Sequence, residues 1–478
     1  MKKGEIVELE IEKVIYGGEG LAHVDGFALF VENTIPGDRV RARIIKKKKQ
    51  FARARLLEIL KPSLDRISPP CEYSGFCGGC KWEFLDYQRQ LEYKRGYVVD
   101  SLERIAKLRD IPVHPVIPSP KCFGYRNKME FSFSDRRWLL PEEMGEDAPQ
   151  TDFALGLHVS GTFYKILDIK ECLLQNETGN RILCDVREYT LKSGIPVYGI
   201  RSHVGFWRFL MLRYSHARDE WMVNIVTSGP LKDAVQPLAD LLAEKYNNIV
   251  SIVNNINTRK GSVAVGEEEI LLYGSRAITE SVGGFLFEIS ANSFFQTNTL
   301  GAEKLYQKVE EYAGLTGCET VVDLYSGTGT IPVFLSTGAR KILGMEILES
   351  ALLDAKKNCK RNGILNCEFL CGDIKVLLPD ITEKPDVMII DPPRAGMHPD
   401  VVRQVCKAAP LRIVYVSCNP TTLARDLEFL KEDYRVAEVQ PVDMFPHTFH
   451  IESVARLERR GGNVHNIPTI NSNGTFPK

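Results

Sequence analysis

Cys418 lies in Val416-Ser417-Cys418-Asn419-Pro420, at the end of the apolar run Ile413-Val414-Tyr415-Val416. Glu452 closes a later segment, Asp443-Met444-Phe445-Pro446-His447-Thr448-Phe449-His450-Ile451-Glu452. The apolar run reads as a buried parallel strand, and open α/β sheets carry their chemistry at the carboxyl ends of such strands. A thiol at that place is a candidate nucleophile. A carboxylate is the matching group to take up a proton in a later step.

Upstream, Thr320-Val321-Val322-Asp323-Leu324-Tyr325-Ser326-Gly327-Thr328-Gly329-Thr330 reads as a strand, a tight glycine turn and a helix start. Gly327 and Gly329 let a ligand approach the backbone closely. Asp323, at the strand end, can accept a hydrogen bond from that ligand or hold the turn. Glu346 ends the next strand, where nucleotide-type folds bind ribose hydroxyls. Asp373 ends the third, in place to bond an adenine amino group, and Asp391 opens Asp391-Pro392-Pro393-Arg394 after the fourth. Four acids in register at strand ends point to S-adenosylmethionine. A dinucleotide site competes, but the turn lacks a third glycine, Pro332 follows it, and Asp-Pro-Pro-Arg is foreign to dehydrogenases.

A methyl donor beside a thiol and a carboxylate describes one reaction well. The C5 carbon of a pyrimidine is a poor nucleophile. A thiolate that attacks C6 pushes electron density onto C5, which then takes the methyl group. A carboxylate removes the C5 proton and the thiolate leaves. Asp391 and Arg394 can hold the pyrimidine edge or the loop.

The motifs Asp-Leu-Tyr-Ser-Gly-Thr-Gly (323–329), Asp-Pro-Pro-Arg-Ala-Gly (391–396), Ser-Cys-Asn-Pro (417–420) and the 443–452 segment resemble the RNA uracil-5-methyltransferase family over nearly all of residues 1–455. The resemblance implies Cys418 as nucleophile and Glu452 as base. Asn292-Ser293-Phe294-Phe295-Gln296-Thr297-Asn298 is similar to a family segment in which an aromatic, here Phe294, stacks on a base. The glutamine of that segment, here Gln296, contacts donor and target. Tyr325, Glu346, Asp373 and Asp391 are implied donor or target contacts. In Tyr125-Arg126-Asn127-Lys128, Arg126 and Lys128 are implied RNA contacts. Ser326 stands where many relatives have Cys, and Asp373 where one branch has Asn. The RNA cytosine-5 enzymes have a Cys within the motif that reads Asp391-Pro392-Pro393-Arg394 here, which argues against that chemistry.

Cys71, Cys77 and Cys80, with Gly75, Gly78 and Gly79 among them, place three thiols in one loop, and Cys172 is a fourth candidate. By counting ligands, zinc and an iron–sulfur cluster fit equally. The spacing is not the paired Cys-x2-Cys usual for zinc. The family's ribosomal RNA branch carries a [4Fe-4S] cluster on these four positions, so the resemblance implies that cluster, with zinc as the alternative.

These residues need elements to position them. The expected fold class is multidomain α/β. Residues 1–61 predict five short strands in a small OB-like β-barrel of the TRAM kind. They carry 13 Lys and Arg against 9 Asp and Glu, with Arg39, Arg41 and Arg43 alternating before four lysines, a face suited to an RNA backbone. Residues 62–290 form a central domain bearing the cysteines, mixed strand and loop from 113, with a helix at about 85–108 that packs on the catalytic domain. Residues 291–458 alternate helices and apolar strands as a Rossmann-like class I methyltransferase, and 459–478 form a disordered tail.

The chain has 478 residues, a net charge of −1 and 12 cysteines, and no secretory signal or membrane-length apolar run. A reducing, cytoplasmic setting follows, with thiols kept for metal or catalysis rather than disulfides. The expected function is transfer of a methyl group to C5 of a specific uridine in 23S ribosomal RNA by a monomer. One rival is the same chemistry on the T-loop uridine of tRNA. Another is an RNA-binding or iron–sulfur redox protein with an idle transferase site.

Overall fold

The computed structural model describes residues 1–145, 151–261 and 263–461. In the N-terminal segment, alternation decides the faces: Val40, Ala42 and Ile44 are buried along Arg39–Lys47 while Arg39 and Arg43 face solvent. Six strands form one sheet, in the order Ile6–Glu10, Arg39–Lys47, Phe51–Lys61, Phe27–Val31, Gly20–Val24 and Lys13–Val14. Five were expected. The run Ile6–Val14 divides after Glu10 because Ile11 bonds instead to the Asp38 carbonyl and the Gly37 N–H, each at 2.9 Å. Part of the basic face is already paired, Arg39 with Glu8, Arg41 with Glu58 and Arg53 with Glu19.

The central sheet has eight strands, in the order Glu268–Gly274, Ile249–Ile256, Glu220–Thr227, Trp207–Ser215, Lys128–Ser134, Ala154–His158, Ile166–Asp168 and Arg137–Trp138. Helices Glu177–Lys192 and Lys232–Lys245 share its core through Ile182, Leu183, Val186, Val235 and Leu238. Mixed strand and loop was expected there. The first helix starts on Asn176, whose side chain accepts from Thr178 N, and its apolar residues are so diluted by charge that their helical spacing is faint.

Helix Tyr87–Arg104 is capped by Asp86, which accepts from Gln88 N and Arg89 N. Its Leu91, Val98 and Leu102 share a core with Leu423, Ala424 and Leu427 of helix Pro420–Leu430 in the C-terminal unit. On the same helix Lys94 bonds Asp443 at 2.7 Å, with both side chains 0% exposed. A lone ammonium could not be buried so; the carboxylate and the Phe445 carbonyl make it tolerable.

The C-terminal sheet runs Cys367–Cys371, Lys341–Glu346, Thr320–Leu324, Val387–Ile390, Arg412–Ser417, Glu452–Arg459, Tyr434–Val442. The first five strands are parallel, and Glu452–Arg459 is antiparallel to both its neighbours. Strand order reverses between Thr320–Leu324 and Val387–Ile390, so a ligand crevice opens above their carboxyl ends. Of the expected tail, Arg459 still belongs to the last strand, and 462–478 lie outside the described residues.

Candidate active site

The antiparallel strand explains how two distant motifs meet. Arg412–Ser417 ends where Glu452–Arg459 begins, with Ser417 paired to Ser453. Cys418 and Glu452 therefore stand on one rim of the sheet. Asp391 and Arg394 follow Val387–Ile390 on the same rim, and the Arg394 carbonyl accepts from Asn419 Nδ2 at 3.2 Å and Thr422 Oγ1 at 3.3 Å.

Burial, then the nearby Glu452, pushes the Cys418 thiol up to about 11, while Arg394 pulls it down. Burial and Asp391 push Glu452 up to about 8, again with Arg394 opposing, and burial alone lifts Asp391 to about 7. One guanidinium thus favours the ionised form of both groups. Arg394→Ala is expected to move the pH–rate profile about one unit to higher pH, a roughly tenfold loss at pH 7. An unshifted profile in a pH series of initial rates would remove Arg394 from this role.

The glycine turn is built for a ligand. Tyr325, Gly327 and Gly329 have φ of 67°, 53° and 76°. At Gly329 a Cβ would meet Ala355 Cβ at 2.8 Å, so the helix Glu349–Arg361 demands glycine; beside Gly327 lies open space. Glu346 accepts from Gly327 N at 3.0 Å through one oxygen and from Leu348 N at 2.9 Å through the other, which fixes the carboxylate with lone pairs to spare. Asp323 is buried with both carboxylate oxygens unpartnered, and burial followed by Asp391 and Glu346 raises its pKa far above the usual carboxylate range. An orphaned buried carboxyl beside open backbone fits a cationic, hydrogen-bonding donor such as S-adenosylmethionine. Asp373 is exposed and caps the short helix Ile374–Leu377 by accepting from Lys375 N at 2.9 Å. Ile347, 65% exposed directly after Glu346, leaves apolar surface at that strand's end and went unnoticed in sequence; an apolar residue following a strand-end acid was its signal.

Phe294 is 69% exposed while its neighbour Phe295 is buried at 6%. Its carbonyl accepts from Thr328 Oγ1 at 3.5 Å, which ties an exposed ring to the glycine turn. The Gln296 carbonyl accepts from Asn127 Nδ2 at 2.8 Å. Buried Arg213 donates to the Ala291 and Ser293 carbonyls and holds the loop from behind. Lys128 lies opposite Arg213 in the sheet, half-buried, its pKa lowered by burial and then by Arg213. Arg126 has its Nε buried and lines the cysteine pocket. Both residues remain partly exposed, Lys128 beside its cross-strand neighbour and Arg126 beside the cysteine loop. Phe294→Ala is expected to weaken RNA binding about 5- to 150-fold, the range for losing one base–aromatic stack, with donor affinity unchanged. Filter binding and donor titration would separate the two.

A profile of the tRNA (uracil-5-)-methyltransferase family matches residues 215–372 and 380–460, and one of the TRAM domain matches 1–57. The chain belongs to the tRNA (uracil-5-)-methyltransferase family. It is an S-adenosylmethionine-dependent RNA (uracil-5-)-methyltransferase. A Chlorobaculum tepidum relative named as an RNA methyltransferase is 44% identical, over 96% of this chain and 97% of its own. One from Porphyromonas gingivalis, named likewise, is 42% identical over 94% and 99%. The crystal structure of Pyrococcus abyssi tRNA (uracil-54, C5)-methyltransferase with S-adenosyl-L-homocysteine has a TM-score of 0.74 and 31% identity, covering 94% of this chain and 100% of that one.

In this uracil-5-methyltransferase the sheet brings Cys71, Cys77, Cys80 and Cys172 to one pocket, with Glu83 and Arg126. Backbone amides point at sulfur: Gly79 N donates to Cys77 Sγ at 3.4 Å, and amides of Tyr73 and of Leu174 and Gln175 lower Cys71 and Cys172. Burial dominates nonetheless and pushes Cys71 up to about 12 and Cys77 to about 11, with Cys80 and Cys172 also raised. Among the described residues no group of three or more His, Cys, Asp or Glu is placed to hold a metal ion, so the expected iron–sulfur site is not seen in the arrangement of these thiols.

Proposed function

We propose that this enzyme methylates C5 of one uridine in 23S ribosomal RNA through a covalent Cys418 adduct. The observation that carries the reading is the strand register that sets Cys418 and Glu452 on one rim, with Arg394 acting on both. Cys418 Sγ bonds C6 of the uracil, and the C5–C6 π pair moves toward O4. S-adenosylmethionine would supply the methyl group that C5 takes, its S–CH3 bond breaking so that the bonding pair leaves on sulfur as S-adenosylhomocysteine. Glu452 accepts the C5 proton, the electron pair re-forms the C5–C6 double bond, and the C6–S bond breaks to return the thiolate. Asp323, Tyr325, Gln296, Glu346, Asp373, Asp391 and the Gly327–Gly329 turn would hold the donor, and Phe294 and Arg394 the target. A stacked uridine must be flipped out to reach this rim.

In this reading residues 1–61 grip RNA, 62–290 carry a [4Fe-4S] cluster on Cys71, Cys77, Cys80 and Cys172, and 291–458 perform the transfer, in a cytoplasmic monomer. A zinc ion about 2.3 Å from each sulfur needs the four drawn tightly together. Four thiols lining one pocket, with a backbone amide bonded to the Cys77 sulfur, support the cluster reading. Anaerobically purified protein should hold about four irons and equivalent sulfide; stoichiometric zinc without iron would favour the alternative.

A second reading, methylation of the T-loop uridine of tRNA, is favoured by the likeness to the Pyrococcus abyssi tRNA enzyme. Labelled donor with unmodified 23S ribosomal RNA and, separately, unmodified tRNA decides between them. Labelled 5-methyluridine from ribosomal RNA alone upholds the first reading; from tRNA alone, the second.

A further inference from the structure

The methyl-transfer rim contains a side chain that none of its motifs supplies. The hairpin between Lys13–Val14 and Gly20–Val24 is closed by Gly18 N to the Ile15 carbonyl and Ile15 N to the Glu19 carbonyl, both at 3.0 Å. It leaves the barrel and enters the C-terminal unit. Gly18, at φ 81°, sits so close that a Cβ would lie 3.3 Å from both Phe449 Cδ1 and Trp82 Nε1. Tyr16 stands edge-on to Tyr97 at 5.9 Å and to Phe449 at 5.7 Å. Its hydroxyl donates to the Cys418 carbonyl at 3.4 Å.

We infer that Tyr16 is a positioning residue of the transfer site: it fixes the Cys418 peptide, and so the direction of Sγ, from the barrel. Two aromatic edges hold the ring, so the hydroxyl has one place to be. Burial first, and then Cys418 and Glu452 against Arg394, push the phenol up to about 12, so it stays a donor while the thiolate forms. The consequence is mechanical. RNA that shifts the barrel shifts the nucleophile's anchor, and the barrel is part of the active site rather than a detached grip.

This inference rests on reading Cys418 as the nucleophile, and the test separates the two. Tyr16→Phe keeps both aromatic contacts and removes only the hydroxyl. Wild type, Tyr16→Phe and Cys418→Ala are compared by rate of covalent adduct formation with RNA bearing 5-fluorouridine, by kcat and KM for unmodified RNA, and by melting temperature. Losing one hydrogen bond is expected to slow adduct formation and kcat about fivefold in Tyr16→Phe, with KM and melting temperature unchanged. An adduct rate within twofold of wild type, or a change in KM alone, overturns the positioning role. Absence of adduct in the wild type overturns the covalent reading and the inference with it.

Discussion

Cys418→Ala is expected to lower 5-methyluridine formation by about 10⁴-fold or more and to eliminate the covalent adduct with 5-fluorouridine RNA. In the proposed mechanism the sulfur at the end of Arg412–Ser417 is what attacks C6, and without it C5 would not become nucleophilic enough to take a methyl group. Donor and RNA affinities should hold, because the glycine turn and Phe294 do not depend on the thiol. Cys418→Ser should fare little better, since a hydroxyl is a far weaker nucleophile than a thiolate near neutral pH. Denaturing gel mobility of the RNA reads the adduct, and nucleoside digestion reads the product. Methylation above about one per cent of wild type would remove Cys418 from the mechanism.

Glu452→Gln should separate the steps. The amide keeps the size of the carboxyl but cannot accept the C5 proton, so the enzyme still attacks and methylates yet cannot release. Turnover is expected to fall about 10²–10⁴-fold while adduct with ordinary RNA accumulates. The pH dependence follows from the same group. Its active form is the ionised one, and burial raises its pKa to about 8, so at pH 7 about a tenth is ready. The rate should therefore climb from pH 6 to about 8. The Cys418 thiol, raised to about 11, adds a further rise above that. In Glu452→Gln the rise through pH 8 should vanish. A flat profile in the wild type, or an unchanged one in the variant, would show that another group takes the proton.

What the sequence disclosed follows a physical pattern. Cys418, Asp323, Glu346 and Asp391 were legible because each ends an apolar strand, and parallel strands bring their ends to one side. The central strands were legible from β-branched and aromatic runs such as Trp221–Thr227. Helix Glu177–Lys192 was not, its buried Ile182, Leu183 and Val186 being scattered among charges. The partial burial of Arg126 and Lys128 was not legible, since a basic residue near a strand start gives no sign of how its neighbours pack around it. Tyr16 and Arg213 were invisible for a different reason. Each acts through a backbone carbonyl far along the chain, and no local spacing records such a bond.

The segment 443–452 and the turn at Cys418 depend on partners made long before them. Lys94 precedes Asp443 by 349 residues, Gln90 precedes His447 by 357, and Tyr16 precedes Cys418 by 402. At about 5–20 residues per second, helix Tyr87–Arg104 waits on the ribosome for roughly 20–70 s before its partners exist. During that time its apolar face is uncovered and Lys94 has no carboxylate to meet. Such long-range closure makes folding slow as well as late. The nascent chain, more than the finished enzyme, is therefore the form that needs a chaperone, and expression at low temperature with chaperone supply should raise soluble yield more than any change at the catalytic rim.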